Sequence, residues 1–167
     1  MQLLLNSRDA EHGIEWLSSP AELRAWLAER GCNAPVGDED VRRVVRVREA
    51  LRELTLENNR HDFDPQAREV LDREAKRAPL RVSFAEPGLV PAGDGVDAFL
   101  ADVFAVVHDA MRTGTWQRLK SCRNCHWAFY DESKNRSATW CSMELCGNRL
   151  KTKRYRGRKR PQPAPAA

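Results

Sequence analysis

The chain has 167 residues, of which 41% are hydrophobic and 31% charged, and its formal net charge is +4. This share of apolar residues is enough to bury a core and excludes a compositionally disordered protein. The charge is divided unevenly, because residues 118–160 sum to +10 and the rest of the chain sums to −6. We therefore expect an acidic or neutral globular part joined to a module that binds polyanions, the alternative being a basic tail that only aids solubility.

The first residues do not have the pattern of a secretory leader. Residues 1–7 contain no basic segment, and the apolar run Leu3-Leu4-Leu5 is far shorter than a signal peptide or a membrane span requires. We expect a cytoplasmic protein that contacts no membrane and keeps its cysteines reduced.

The first helix is predicted from its capping residues. Ser19 and Glu22 form a capping box, and Pro20 occupies the first helical position. Gly31 marks the end of the helix. Three apolar residues share one face of this helix: Leu23, Trp26 and Leu27.

Two further helices are predicted before residue 80. One begins near the acidic cluster Asp38-Glu39-Asp40 and keeps helical apolar spacing, and arginines fill its other faces. The other begins at Asp64-Pro65 and ends at Pro79. The apolar positions of the first are Val41, Val44, Val45, Leu51 and Leu54, and its arginines are Arg42, Arg43, Arg46 and Arg52. The inward positions of the second are Ala67, Val70, Leu71 and Ala75.

A hairpin and a long apolar helix follow. Residues 81–84 alternate between polar and apolar, and the turn Glu86-Pro87-Gly88 leads to a second short apolar run. This pattern predicts a short β-hairpin. From Val96 to Met111 apolar residues recur with helical spacing until Gly114, which predicts a core helix.

Four cysteines have the spacing of a metal site: Cys122-x2-Cys125-x15-Cys141-x4-Cys146. Two close pairs bridged by a loop match a tetrahedral structural zinc site, because each pair grips the ion from one side. Two disulfides would be the alternative in an oxidising compartment. His126 is not required as a ligand, since four thiolates already close the shell. Cys32 is interpreted as a lone thiol or a small apolar filler.

The segment between the cysteines is predicted to form a small hairpin. Residues 126–130 suit one strand, residues 131–136 suit a turn, and residues 137–140 suit the partner strand. From residue 142 to residue 159 the sequence suits a helix whose last turns are rich in cations. A knuckle, a hairpin and a helix in this order resemble a treble clef.

Four thiolates around one Zn²⁺ leave a formal charge of −2, which requires hydrogen-bond donors and cations nearby. The candidates closest to the cysteines in sequence are Lys120, Arg123 and Arg149. We expect these three side chains to supply that charge.

A dense basic segment begins directly after the last cysteine. Such a segment binds phosphates, and residues on one helical face can also reach base edges in a groove. We therefore predict that it binds duplex DNA. Its eight cations are Arg149, Lys151, Lys153, Arg154, Arg156, Arg158, Lys159 and Arg160. Residues 161–167 are rich in proline and alanine and are predicted to be disordered.

Several of these motifs resemble a known family. The carrying motifs are Cys146-Gly147-Asn148-Arg149, Cys122-x2-Cys125 and Phe129-x-Asp131-x-Ser133-x-Asn135-Arg136, and they resemble the CGNR zinc-finger family over about forty residues. The Leu23-x-x-Trp26-Leu27 helix and residues 47–52 resemble the ABATE domain, which precedes this finger. The resemblance implies a stress-induced transcription regulator whose finger binds DNA and whose upstream domain senses an unidentified small-molecule ligand.

We predict an α+β fold with a mainly helical N-terminal domain, a short β-hairpin and a small treble-clef-like zinc finger. Residues 1–116 are assigned to an ABATE-like sensor domain, residues 117–160 to the four-cysteine finger with its basic helix, and residues 161–167 to the tail. Because helical periodicity ends at Gly114 and the charge then reverses, we expect limited proteolysis before Lys120 to release a stable N-terminal fragment.

Other functions are weighed against DNA binding. In an RNA-binding module, aromatic residues would stack on bases, but two or three of them are needed for the core of so small a zinc module. The aromatic candidates are Trp127, Phe129, Tyr130 and Tyr155. A protein-interaction zinc module with an incidental basic tail is a third possibility. No Ser/His/Asp set, phosphate-binding glycine loop or open-shell metal motif stands out, so we expect no enzymatic activity.

Overall fold

The computed structural model describes residues 1–62, 64–149 and 152. This part of the chain forms helices and three two-stranded antiparallel sheets. In chain order the elements are α1 (Gln2–Leu5), β1 (Arg8–Asp9), β2 (Ile14–Glu15), α2 (Pro20–Ala28), α3 (Asp38–Glu57), α4 (Pro65–Arg77), β3 (Leu80–Ser83), β4 (Gly88–Pro91), α5 (Gly95–Arg112), a 3-10 turn (Trp116–Arg118), β5 (Leu119–Ser121), β6 (Ala128–Tyr130) and a π-helical turn (Met143–Gly147). The predicted α+β class, with a mainly helical part and a small finger, is confirmed.

Helices α2 and α4 begin at their predicted capping residues. The Ser19 hydroxyl accepts a hydrogen bond from the Glu22 N–H at 3.3 Å, and the Asp64 carboxylate accepts one from the Gln66 N–H at 2.9 Å. These bonds satisfy N–H groups that have no partner within the helix. Gly31 has a φ of +79°, a conformation that glycine adopts without steric cost, and the chain turns there after α2.

Helices α3 and α5 supply nearly half of the buried residues of the apolar core. Val44, Val47 and Leu51 of α3 are fully buried, as is Leu100 of α5. The core helix predicted from Val96 to Met111 packs into the core as far as Ala110, whereas Met111 at its end is 48% exposed. In the described part of the chain, no helix has both the length and the apolar character needed to cross a membrane.

Three arginines of α3 are buried beside its apolar face, although their polarity predicts positions on the solvent-exposed faces of the helix. Arg43, Arg48 and Arg52 are 4%, 0% and 3% exposed. Their charges are compensated, as where Arg43 Nε donates to Glu74 at 3.0 Å. The inward position predicted for Ala75 is wrong, since this residue is exposed and the adjacent Glu74 is buried as the partner of Arg43.

The predicted hairpin after α4 is confirmed. Strands β3 and β4 pair antiparallel, with Arg81 opposite Val90 and Ser83 opposite Gly88. A second hairpin, β1 with β2, places Arg8 opposite Glu15. It was not predicted, because strands of two residues are too short to show an alternating pattern.

The strand pairing predicted within the finger is wrong. Strand β6 pairs with β5, upstream of the first cysteine, and Lys120 lies opposite Phe129. Residues 137–140 form no strand and instead run as a loop. Of the helix predicted from residue 142 to residue 159, residues 150–151 and 153–159 lie outside the described part.

The apolar core continues across the predicted boundary between Gly114 and Lys120. Trp116, Leu119 and Ala128 are buried in the same cluster as the core of the helical part. Asn6 also exchanges two hydrogen bonds with the Ala128 backbone, at 2.9 and 2.7 Å. The division into residues 1–116 and 117–160 stays a prediction, and residues 161–167 lie outside the described residues.

Candidate metal centre

A tight backbone turn brings together the first pair of cysteines. The His126 N–H donates to the Cys122 carbonyl at 2.9 Å, and the Cys122 N–H donates to the Trp127 carbonyl at 2.9 Å. His126 has a φ of +61°, a left-handed conformation that closes the turn. Cys122 and Cys125 therefore point to one side of a short loop that is held between β5 and β6.

The second pair is placed by the π-helical turn. The Ser142 hydroxyl accepts from the Leu145 N–H at 3.3 Å, and the Gly147 N–H donates to the Ser142 carbonyl at 3.1 Å. A Cβ at Gly147 would lie 2.9 Å from Met143 Sδ and 3.3 Å from Trp140 Cδ1. The glycine therefore allows the close packing that orients Cys146.

The four cysteine sulfurs lie together with the spacing of a tetrahedral site. All four Sγ atoms are within 4.8 Å of one another. Cys125 and Cys141 are 3.5 Å apart, Cys141 and Cys146 are 3.7 Å apart, and Cys125 and Cys146 are 3.5 Å apart. A Zn–S bond of about 2.3 Å in a tetrahedron separates the sulfurs by about 3.8 Å. The cysteines form no disulfide, and the cluster fits a zinc ion.

The surroundings of three of the thiols shift their pKa values in different directions. Burial would raise the pKa of Cys122, but backbone N–H groups, including that of Cys125, outweigh it and lower the pKa. Burial first, and then Cys146 and Cys122, raise the pKa of Cys125 to about 12. Burial and the three neighbouring sulfurs also raise the pKa of Cys141. The protein alone therefore eases the ionisation of Cys122 and opposes that of Cys125 and Cys141, and a positive ion among the four sulfurs would favour the thiolates.

The three cations expected to balance the thiolates have other partners. The Lys120 ammonium donates to Asp131 at 2.6 Å, Arg123 donates to backbone carbonyls at the end of α3, and Arg149 forms an ion pair with Glu11. The expectation for their contacts is therefore wrong. Donors to sulfur come from backbone N–H groups and from Asn124, whose Nδ2 lies 3.6 Å from Cys146 Sγ.

A buried ion pair holds the loop that links the two cysteine pairs. Lys120 is 4% exposed and Asp131 is 1% exposed. Lys120 Nζ also donates to the carbonyls of Arg136 and Ala138, at 2.7 and 3.0 Å. Burial would raise the pKa of Asp131, but hydrogen bonds from Lys120 and Ser133 lower it to about 2. The carboxylate therefore stays charged near neutral pH and fixes the loop.

The structure describes only the first member of the predicted DNA-binding set. Arg149 is exposed, and its side chain contacts Glu11 in the turn between β1 and β2. The other predicted members lie outside the described residues: Lys151, Lys153, Arg154, Arg156, Arg158, Lys159 and Arg160.

Comparison with protein families assigns both parts of the chain. Residues 3–115 match the ABATE family, which is described as a putative stress-induced transcription regulator. Residues 118–159 match the CGNR zinc finger. A comparison with curated proteins found no match.

Proposed function

The chain belongs to the ABATE family of putative stress-induced transcription regulators, and on that premise we propose that it binds one zinc ion and duplex DNA. The zinc ligands would be Cys122, Cys125, Cys141 and Cys146, and the DNA contacts would come from the basic segment that follows them. The observation that carries this proposal is a compact cluster of four cysteines followed directly by eight cations within twelve residues. The proposed role is binding and regulation, without catalysis.

The metal site would give the basic segment a fixed starting point. Cys146 is 2% exposed and lies three residues before Arg149, the first cation of the set. Phosphate contacts need only dense positive charge, whereas base contacts need cations held in a defined register on the duplex. Anchoring the basic segment at Cys146 would fix the position of its first residues relative to the metal site.

Binding to DNA is expected to be strongly salt-dependent. If about half of the eight cations face the duplex, about four phosphates are neutralised and the log-log salt slope is roughly −3 to −4. Replacing Lys153, Arg154 and Arg156 with alanine should weaken binding to all duplex sequences and reduce the slope by about 1–2. Fluorescence anisotropy with random duplex DNA across a salt series measures both quantities.

The matched control removes three exposed cations from the helical part, Arg24, Arg73 and Lys76. This variant has the same net charge as the first but should keep the wild-type slope. Equal losses in both variants would mean that only net charge attracts DNA. A zinc-loaded chain without salt-sensitive affinity for DNA would overturn the proposal.

Arg149 is expected to exchange Glu11 for a phosphate when DNA binds. The Glu11→Gln variant would release Arg149 without changing the shape of the side chain. Since an exposed ion pair contributes about 0.2–1 kcal/mol, affinity for duplex DNA should rise by about 1.4- to fivefold. Glu69→Gln removes the same charge from the exposed face of α4 and is the control for net charge. Equal gains in both variants would contradict a specific role for the Glu11–Arg149 pair.

The alternatives are separated by the same titration. Phe129 packs against Cys122 and Cys146 in the core of the finger, which leaves it unavailable for stacking on RNA bases. Tyr130 is 45% exposed, whereas Tyr155 lies outside the described residues. Tight binding to single-stranded RNA without binding to duplex DNA would favour the RNA-binding module. Binding to neither nucleic acid would favour a protein-interaction module.

Ligand sensing by the helical domain stays a prediction, and one groove offers a place to test it. The groove has a volume of about 1010 Å³ and lies between the β3–β4 hairpin and α5. Val82, Leu89 and Val106 give it an apolar wall, and His108 and Arg112 add polar groups. A small amphipathic molecule would suit this lining.

The stress-response role and the cytoplasmic location also stay predictions.

A further inference from the structure

One buried amide of the helical part contacts both halves of the metal centre. Asn59 lies just after α3 and is 1% exposed. Its Nδ2 donates to the Ser121 carbonyl at 2.8 Å and to the Thr139 carbonyl at 2.9 Å. Ser121 directly precedes Cys122, and Thr139 lies two residues before Cys141. A single side chain thus joins the two segments that carry the two cysteine pairs.

A side chain of the finger also donates hydrogen bonds to the turn at residues 59–60, directly after α3. Arg123 Nε donates to the Asn59 carbonyl at 2.6 Å, and Arg123 Nη2 donates to the Arg60 carbonyl at 3.0 Å. These carbonyls follow the C-terminal end of α3, where backbone acceptors lack helical partners and a cation is favoured. Arg123 lies between Cys122 and Cys125, so the contact acts directly on the first ligand loop.

Other contacts fix the helix against the finger without joining its two halves. Thr55 Oγ1 and Ser121 Oγ are 2.7 Å apart, and Arg52 Nη1 donates to the His126 carbonyl at 2.7 Å. Each of these contacts reaches only the first cysteine pair or its flanks. Asn59 differs because its two acceptors belong to segments that are eighteen residues apart in the chain and carry different ligands.

We propose that Asn59 is a positioning residue of the metal centre, supplied by the helical domain. Its two hydrogen bonds hold the Cys122 and Cys141 segments at ligand distance before the ion binds. Folding of the helical domain therefore already orders part of the site. Zinc binding then loses less conformational entropy, which raises the affinity for zinc. This inference rests on the proposed zinc site and goes beyond it, because it places a determinant of metal affinity more than sixty residues upstream of the first ligand.

Asn58 provides a matched control within the same turn. Its Nδ2 also donates to two carbonyls, those of Trp116 and Leu119, both at 2.9 Å. These acceptors lie upstream of the ligand loops, so Asn58 anchors the start of the finger without joining the cysteine pairs. A merely structural role predicts the same outcome for both asparagines, whereas a positioning role predicts different outcomes.

The test compares the Asn59→Ala and Asn58→Ala variants in the full chain. Zinc affinity is measured by competition with a chelator of known affinity, and the absorption spectrum of bound Co²⁺ reports the geometry of the sulfur shell. Residues that orient metal ligands typically change affinity by about 10–100-fold, so Asn59→Ala should bind zinc at least about tenfold more weakly. Asn58→Ala should remain within about threefold of wild type, although both variants lower the thermal midpoint.

Further measurements keep the inference testable if Asn59→Ala fails to fold. Asn59→Ser retains one donor and should show an intermediate affinity and faster zinc release to a chelator. In the wild-type chain, zinc should also slow hydrogen exchange of the backbone amides of residues 58–61. Unchanged affinity in both Asn59 variants, or unchanged exchange, overturns the inference. Failure of the wild-type chain to bind zinc would instead overturn the proposed metal site.

Discussion

Removal of zinc from the full chain is expected to lower the thermal midpoint of the whole molecule, including the helical part. A ligand present at a thousandfold excess over its Kd stabilises the folded state by about 4 kcal/mol. For a chain of this size that corresponds to a shift of about 10 °C. The helical part shares the loss because Leu119 and Ala128 belong to its apolar cluster.

The Cys141→Ser variant should reproduce this loss without a chelator. Elemental analysis should find one zinc per wild-type chain and much less in the variant, and the finger should lose its structure. The helical part should survive with reduced stability, because Val44, Val47 and Leu100 still form a core of their own.

Cys32→Ser is the matched control for the loss of one thiol. Cys32 is half-buried, its Sγ lies 3.5 Å from the Gly95 carbonyl, and the serine hydroxyl can donate the same hydrogen bond. This variant should keep one zinc per chain. A Cys141→Ser variant with wild-type zinc content, or a metal-free finger that stays fully folded, would contradict the assignment of the site.

Replacement of Arg48 with methionine is expected to destabilise the chain by about 3 kcal/mol. The Arg48 side chain is fully buried and donates to both carboxylate oxygens of Glu15, at 2.7 and 2.6 Å, and to Glu49 at 2.7 Å. Breaking a buried ion pair by removing one partner costs about 3–5 kcal/mol. We expect the lower end of this range because the Glu15 and Glu49 side chains are about one-third exposed, so water can hydrate their carboxylates when Arg48 is absent.

Urea unfolding of the zinc-loaded chain, followed by circular dichroism, measures this change in the free energy of unfolding. The control is Arg42→Met on the same helix, where an exposed arginine pairs with exposed Glu39 at 2.9 Å. Such a surface pair contributes about 0.3–0.5 kcal/mol. Similar losses from the two substitutions would show that the burial of Arg48 does not determine its contribution.

The features that could be predicted from the sequence are those with local causes. Ser19 and Asp64 satisfy N–H groups two or three residues away, so the helix starts that they mark can be recognised from the local sequence. Gly31 adopts a conformation set by its own backbone. The cysteine spacing is also a local signal, because each close pair needs only a short turn to face one ion.

The features that could not be predicted depend on partners far along the chain. A hydropathy pattern places Arg48 and Arg52 at the surface, since it contains no information about a distant Glu15 or about the Leu5 carbonyl that accepts from Arg52 at 2.5 Å. The partner of β6 was misassigned for a similar reason. Residues 137–140 have strand-like composition, but Leu119–Ser121 is fully buried and pairs with β6 instead.

The sequence by itself determined the starts of α2 and α4, the α+β class, the cysteine spacing of the candidate metal centre and the position of the basic segment. Each of these follows from the chemistry of residues within a few positions of one another. Only the tertiary structure decided that the finger shares a core with the helical part and that Asn59 spans both cysteine segments. Those contacts join residues 62 and 80 positions apart. Such contacts form because buried carbonyls and amides must find hydrogen-bond partners, and which partners meet depends on how the preformed elements pack.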